Sequence, residues 1–195
     1  MPDEFRVQIP YIKKYLDVLN IYHEELDDFE ADDLIASVSE LAKNNGINDI
    51  MVVTGDKDLL QLVSDNIHVS LTKKGITELE DYTKENFFEK MGFYSYQIPD
   101  YKGLVGDTSD NLPGIKGIGE KTALKLMLEY NTLENIVANK DNIKGKTGEV
   151  IRSGFDTGLK CKKLATLVKN INLSFTLDDL KKKDANREEL INLFT

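Results

Sequence analysis

Apolar residues recur along this chain at helical spacing in some stretches and in short unbroken runs in others. Between Gln8 and Leu19, Ile9, Ile12, Leu16 and Leu19 fall at helical spacing, and Asn20 follows as a stop. Between Asp32 and Lys43, Leu34, Ile35, Val38, Leu41 and Ala42 share one helix face, closed by Asn44, Asn45 and Gly46. The run Ile50 to Val53 predicts a short buried strand, with a helix or turn through Leu59, Leu60 and Val63 after it. Two more strands are predicted over residues 67–71 and 76–80, joined by a turn at Lys73, Lys74 and Gly75. A helix followed by a wholly apolar strand points to an α/β core whose sheet is partly parallel and covered on both faces.

After Asp110 the pattern changes. In NLPGIKGIGEKTALKLMLEY, residues 111–130, one proline and three glycines precede a helix whose Ala123, Leu124, Met127 and Leu128 share a face. Helical periodicity prevails from there onward, so we expect an α/β part over 1–110 and a helical part over 111–195. There are no internal repeats and no low-complexity segments.

Composition refines this picture. The 195 residues are 41% hydrophobic and 30% charged, as in soluble globular proteins. There is no apolar run near the ~20 residues that span a bilayer and no secretory signal, so the expectation is a cytoplasmic protein without a membrane partner. The single cysteine, Cys161, excludes an internal disulfide framework and a cysteine-rich zinc site. His23 and His68 lack partners at metal-ligand or triad spacing. A net charge of −9 argues against nucleic acid, which is bound largely through Lys and Arg. Its distribution reverses that inference: residues 1–110 carry 10 − 23 = −13, and residues 111–195 carry 15 − 11 = +4.

Three acidic groups stand at element edges: Glu30, Asp32 and Asp33 at a helix entry, Asp56 and Asp58 just after a strand, and Asp107 and Asp110 three residues apart. Singly, each is explained by helix-dipole complementation or turn capping. Together they are placed to converge at the rim of an α/β sheet, where sites form. Carboxylates gathered there repel one another unless a cation neutralises them, and an oxygen-only ligand set favours Mg2+ or Mn2+ over zinc. Two such ions activate a water and stabilise the leaving oxygen of a phosphodiester.

The segment GIKGIGEKT is not a dinucleotide-binding GxGxxG, because Thr122 stands at the third glycine, and KGKTGE at 144–149 lacks the first glycine of a P-loop. Gly114, Gly117 and Gly119, with Ile115 and Ile118 between them, lead into a helix and can present backbone N–H groups to a phosphate. Lys116, Lys121 and Lys125 add positive charge. Such binding reads the nucleic-acid backbone, not the bases. A purely structural turn between helices is the competing explanation.

FEADDLIA, VVTGDKDLLQLV, LTKKGITELE, KGLVGDTSDNLPGIKGIGEKTALKL and KKLAT, in this order, closely resemble the 5'-nuclease (5'-3' exonuclease) domain of bacterial DNA polymerase I, within the flap endonuclease superfamily. The resemblance runs from about Met1 to the C-terminus. It implies a PIN-like partly parallel sheet flanked by helices, then a helical region with a helix-three-turn-helix element. It also implies a metal-dependent phosphodiesterase acting at 5' flaps, nicked or branched duplex DNA and RNA primer–DNA junctions in replication and repair. Such a protein is nucleoid-associated, and its parent carries a polymerase domain. The resemblance assigns Glu30, Asp32, Asp33, Asp56, Asp58, Asp107 and Asp110 to a two-metal centre or its immediate shell. Gly114, Lys116, Gly117, Ile118, Gly119, Lys121 and Thr122 it assigns to the DNA-gripping hairpin, often with a bound K+.

The family's first strands, with two metal-binding aspartates, and its basic helical arch are expected ahead of the segment that MPDEFRVQIP resembles. On that reading the chain is a fragment with one metal site incomplete, its nuclease activity is expected to be weakened or lost, and the sheet has exposed edges. Two other readings are a non-catalytic duplex-binding module using the helical half, and an RNA-directed PIN-type nuclease, which the glycine hairpin disfavours.

Overall fold

The computed structural model describes residues 3–75 and 77–194. In chain order its elements are α1 (Asp3–Arg6), α2 (Ile9–Val18), α3 (Ala31–Asn44), β1 (Ile50–Thr54), β2 (Ile67–Lys74), β3 (Glu78–Tyr82), α4 (Lys84–Met91), α5 (Ile98–Val105), α6 (Glu120–Tyr130), α7 (Leu133–Ala138), α8 (Gly145–Ala165) and α9 (Arg187–Phe194). Short 3-10 turns cover Lys57–Leu62 and Ser95–Gln97. Among the described residues no helix is long and apolar enough to cross a membrane.

The chain divides into two compact units, one made of residues 1–31 with 171–195 and the other of residues 32–170. In the first, α2 ends at Val18 and is followed by the expected stop, Asn20, whose φ of 52° is left-handed. The N–H of Asn186 donates to the Val18 carbonyl at 2.8 Å, and the Tyr15 and Phe194 rings meet edge to face at 5.8 Å. Its interior is thin. Among the described residues Val18 is its buried apolar side chain, while Phe5, Tyr11 and Phe194 stay largely in solvent.

The second unit holds the sheet, in the order β1-β2-β3. β1 runs parallel to β2, with Ile50 opposite Ile67 and Thr54 opposite Leu71, and β3 runs antiparallel to β2, with Tyr82 opposite Val69. The sheet is therefore partly parallel, as expected. The third strand extends to Tyr82, and Ile76, its expected start, lies outside the described residues.

One expectation fails. In β1 only Val52 is buried, whereas Met51 and Val53 are 61% and 56% exposed. Among the described residues β1 pairs with β2 alone and is covered on one face, so its side chains alternate between core and solvent despite uniform chemistry.

From the sheet the core continues without a break into the helices. Val52, Val69, Leu59 and Phe87 belong to the same cluster as Leu104, Ile115, Ile136 and Ile151. The shift in character near residue 111 thus falls inside this unit. α5 and α8 approach closely because Gly103 and Gly158 lack side chains: a Cβ on Gly158 would come within 2.8 Å of Ile115 Cγ1, and one on Gly103 within 2.9 Å of the Gly158 carbonyl oxygen. That contact fixes the loop after α5 against the helical layer. Across the same layer, buried Asp100 accepts from the Leu133 N–H and from Lys162, each at 2.6 Å, joining α5, α7 and α8.

Candidate metal centre

The chain leaves β1 through Thr54, whose Oγ1 accepts the Asp56 N–H at 3.0 Å. Asp56 then caps the 3-10 turn, its Oδ1 accepting the Asp58 N–H at 2.8 Å. Asp56 remains exposed while Asp58 is half-buried. The second acidic segment follows α5, which stops at Gly106 with φ 86°. Asp107 and Leu112 exchange both backbone hydrogen bonds at 2.8 Å, closing the loop into a small ring. Within it the Asp107 carboxylate accepts the Ser109 N–H at 2.9 Å and the Ser109 hydroxyl.

The fold brings these segments together. Asp58, Asp107 and Asp110 each offer a carboxylate oxygen, and the three atoms lie within 4.8 Å of one another. Between them sits the ammonium of Lys102, bonded to Asp58 and lying 2.7 Å from Asp107 and 2.9 Å from Asp110. One ammonium facing three carboxylates leaves the cluster net negative. Burial pushes the Asp58 carboxyl upward and, together with Asp56 and Asp110, outweighs Lys102. Burial also pushes Asp107 upward, but Lys102 and the two Ser109 bonds prevail and hold it at about 2. Lys102 itself is disfavoured by burial, yet three carboxylate bonds keep it above its ordinary value.

Asp32, at the start of α3, is raised first by burial and then by the charges of Asp33 and Asp56, against backbone N–H bonds that lower it. Asp56 therefore acts electrostatically on both Asp32 and Asp58. Asp33 is engaged elsewhere: its Oδ1 accepts the Val168 N–H at 2.7 Å, tying α3 to the segment after α8. Glu30 is exposed and belongs to the first unit. Lys102 was not singled out from the sequence. Its signal is a lysine five and eight residues before two candidate ligands, meaningful only once α5 is known to turn it toward Asp58.

The glycine segment continues from the acidic loop. Gly114 (φ +60°) lies against Gly106 so closely that a Cβ would come within 2.3 Å of the Gly106 nitrogen. Ile115 donates its N–H to the Leu104 carbonyl at 2.9 Å, and Ile115 and Ile118 are buried. Lys116, Gly117, Gly119 and Lys121 are exposed, and Thr122 is half-buried. Gly119 is the N-cap of α6 and has open space where a side chain would stand. Gly114 and Ile118 thus sit inside, beneath a surface formed by the other named residues.

Residues 1–92 match the family described as 5'-3' exonuclease, N-terminal resolvase-like domain, and residues 93–188 the one described as 5'-3' exonuclease, C-terminal SAM fold. The DNA polymerase I of Caldicellulosiruptor bescii is 46% identical over 195 residues, which cover 99% of this chain and 23% of that protein. The DNA polymerase I of Bacillus caldotenax is 42% identical over 194 residues, covering 99% and 22%. The chain thus spans less than a quarter of the length of these curated relatives. Among solved structures, the T5 D15 protein co-crystallised with metal ions superposes with a TM-score of 0.70 at 18% identity, covering 100% of this chain and 73% of that one. The catalytic core of Rad2 in complex with DNA substrate gives 0.60 at 15% identity, covering 97% and 64%. At these identities the likeness is one of fold. It agrees with the expected α/β sheet followed by a helical region.

Proposed function

Because the chain belongs to the 5'-3' exonuclease family, we propose that it is a metal-dependent nuclease that cuts DNA from 5' ends and at 5' flaps, as the nuclease region of a DNA polymerase I-like protein. The observation that carries this reading is the convergence of Asp58, Asp107 and Asp110, from two distant segments, on one point already taken by a cation. Their hard oxygen donors suit Mg2+ or Mn2+. Asp32 feels the charge of Asp56, and we read these two as further ligands, a pair too small to complete a site from side chains alone. Glu30 and Asp33 enter through their place in the sequence and the family resemblance.

When bound, the divalent ions supply an activated water and stabilise the leaving oxygen. The chain's own residues position the substrate. Exposed Lys116, Gly117, Gly119 and Lys121 hold the phosphates of a branched or nicked duplex, or of an RNA primer–DNA junction, with Lys125 beside them. Residues 114–119 carry no carboxylate, so a K+ there would be held by backbone oxygen. The Asp107–Leu112 ring and the Gly106–Gly114 contact join this grip rigidly to the acidic loop, so that docking the duplex sets the scissile phosphate over the carboxylates. On this reading the division near residue 111 is functional, with chemistry before it and grip after it, and the protein works in the cytoplasm at the nucleoid during replication and repair.

The test is cleavage of a 5'-labelled flap duplex with Mg2+ or Mn2+. Short labelled products that vanish in Asp58→Asn and Asp107→Asn support the reading. Gly119-dependent duplex binding without cleavage in either metal would favour a non-catalytic binding module, and a preference for single-stranded RNA would favour a PIN-type RNase.

A further inference from the structure

The candidate metal centre contains a cation that belongs to the chain. Lys102 extends from α5 with its side chain only 10% exposed, and its ammonium contacts Asp58, Asp107 and Asp110 together. A charge so withdrawn from water is tolerated only with opposite charges against it, and three carboxylates so close together are tolerated only with a cation among them. The two groups therefore support each other in the metal-free chain.

We propose that Lys102 is a built-in counter-cation for this centre. It holds the three carboxylates in place without metal, competes with the divalent ion for them, and withdraws when the ion enters. The inference rests on the metal-site reading given above. Its physical basis is space and charge. Carboxylate oxygens within 4.8 Å of one another can surround one cation, and a second positive charge at the same point would be repelled strongly. Lysine suits the task, being a compact charge on a flexible four-carbon stem that can swing away, whereas the forked guanidinium of arginine would clamp the carboxylates bidentately.

The consequence separates this role from that of a simple structural support. If Lys102 only buttressed the acids, its removal would scatter them and weaken metal binding; if it competes, removal tightens metal binding while destabilising the metal-free chain. Calorimetric titration with Mn2+ of the full chain, of Lys102→Met and of Asp107→Asn distinguishes the two. We expect Lys102→Met to bind Mn2+ roughly tenfold tighter or more, with a lower melting temperature in chelator and a larger rise on adding Mn2+. Equal or weaker Mn2+ binding by Lys102→Met overturns the proposal. Should neither the unmodified chain nor Lys102→Met bind Mn2+ in an Asp107-dependent way, the metal-site reading itself fails, and this inference with it.

A measurement on the unmodified chain covers the case in which Lys102→Met does not fold. Labelling of Lys102 by an amine-reactive reagent, read by peptide mass spectrometry, is expected to rise several-fold on saturation with Mn2+. Unchanged or reduced labelling in a chain that binds Mn2+ would show that the ammonium stays among the carboxylates, and would overturn the proposal.

Discussion

The acidic centre and the glycine hairpin adjoin along one stretch of chain, yet they are assembled by opposite means. Asp58 reaches Asp107 and Asp110 across about fifty residues of sequence, and its position depends on the packing of β1, the following 3-10 turn and α5. The hairpin is local in sequence, running from Gly114 to α6 through two left-handed glycines and two buried isoleucines. The first gathers like charges and relies on a cation; the second exposes backbone and lysines to an anion. Complementary chemistry thus comes from a long-range and a short-range device fixed to each other at Gly106 and Gly114.

The largest effects should fall on the long-range device. Asp58→Asn or Asp107→Asn is expected to slow flap cleavage by about 100-fold or more, beyond what the loss of outer-shell partners typically costs metal sites. Single-turnover rates with Mn2+ measure this, and a loss below tenfold for both would separate catalysis from the cluster. Within the hairpin, Gly114→Ala should destabilise the fold by about 3 kcal/mol or more, because its Cβ meets backbone at a positive φ. Gly119→Ala, in open space, should stay within about 0.5 kcal/mol in urea unfolding and yet weaken duplex binding. If Gly119→Ala binds DNA unchanged, the close approach of a phosphate to that backbone is refuted.

Smaller effects sharpen the contrast among the acids. Asp33→Ala should cost about 1 kcal/mol through the orphaned Val168 N–H, while Asp33→Asn should cost less. Acid titration gives the finest test. Asp107 lies at about 2 in the folded chain, below the ~3.9 of an unfolded aspartate. Its contribution to stability is therefore present above that unfolded value and is lost as pH falls through about 2. Asp32 and Asp58 are shifted upward, so they have the opposite sign: the native state prefers their protonated forms, and that preference disappears as pH rises through their folded values. Melting in chelator from pH 2 to 7 should show a flatter acid limb for Asp107→Asn and a relative gain near neutrality for Asp58→Asn.

Much of this was legible in the sequence for local reasons. The helix over α3, the strand after it and the glycine-led start of α6 follow from periodicity and turn chemistry, and the edge positions of the acids follow from those elements. What was hidden depends on tertiary neighbours. Met51 and Val53 read as buried because composition cannot say that β1 has one open face. Gly114 and Gly119 read alike, and only the approach of Gly106 separates a packing glycine from a surface one. Lys102 stood within a recognised motif, but its meaning lies in α5 directing it at Asp58.

The central claim is that Asp58, Asp107 and Asp110 share a divalent cation, and anomalous diffraction from crystals grown with Mn2+ tests it most directly. The expected result is a manganese peak within coordination distance of all three carboxylates, with the Lys102 ammonium displaced. A map with Lys102 still among the three carboxylates and manganese only at other surface acids would contradict it.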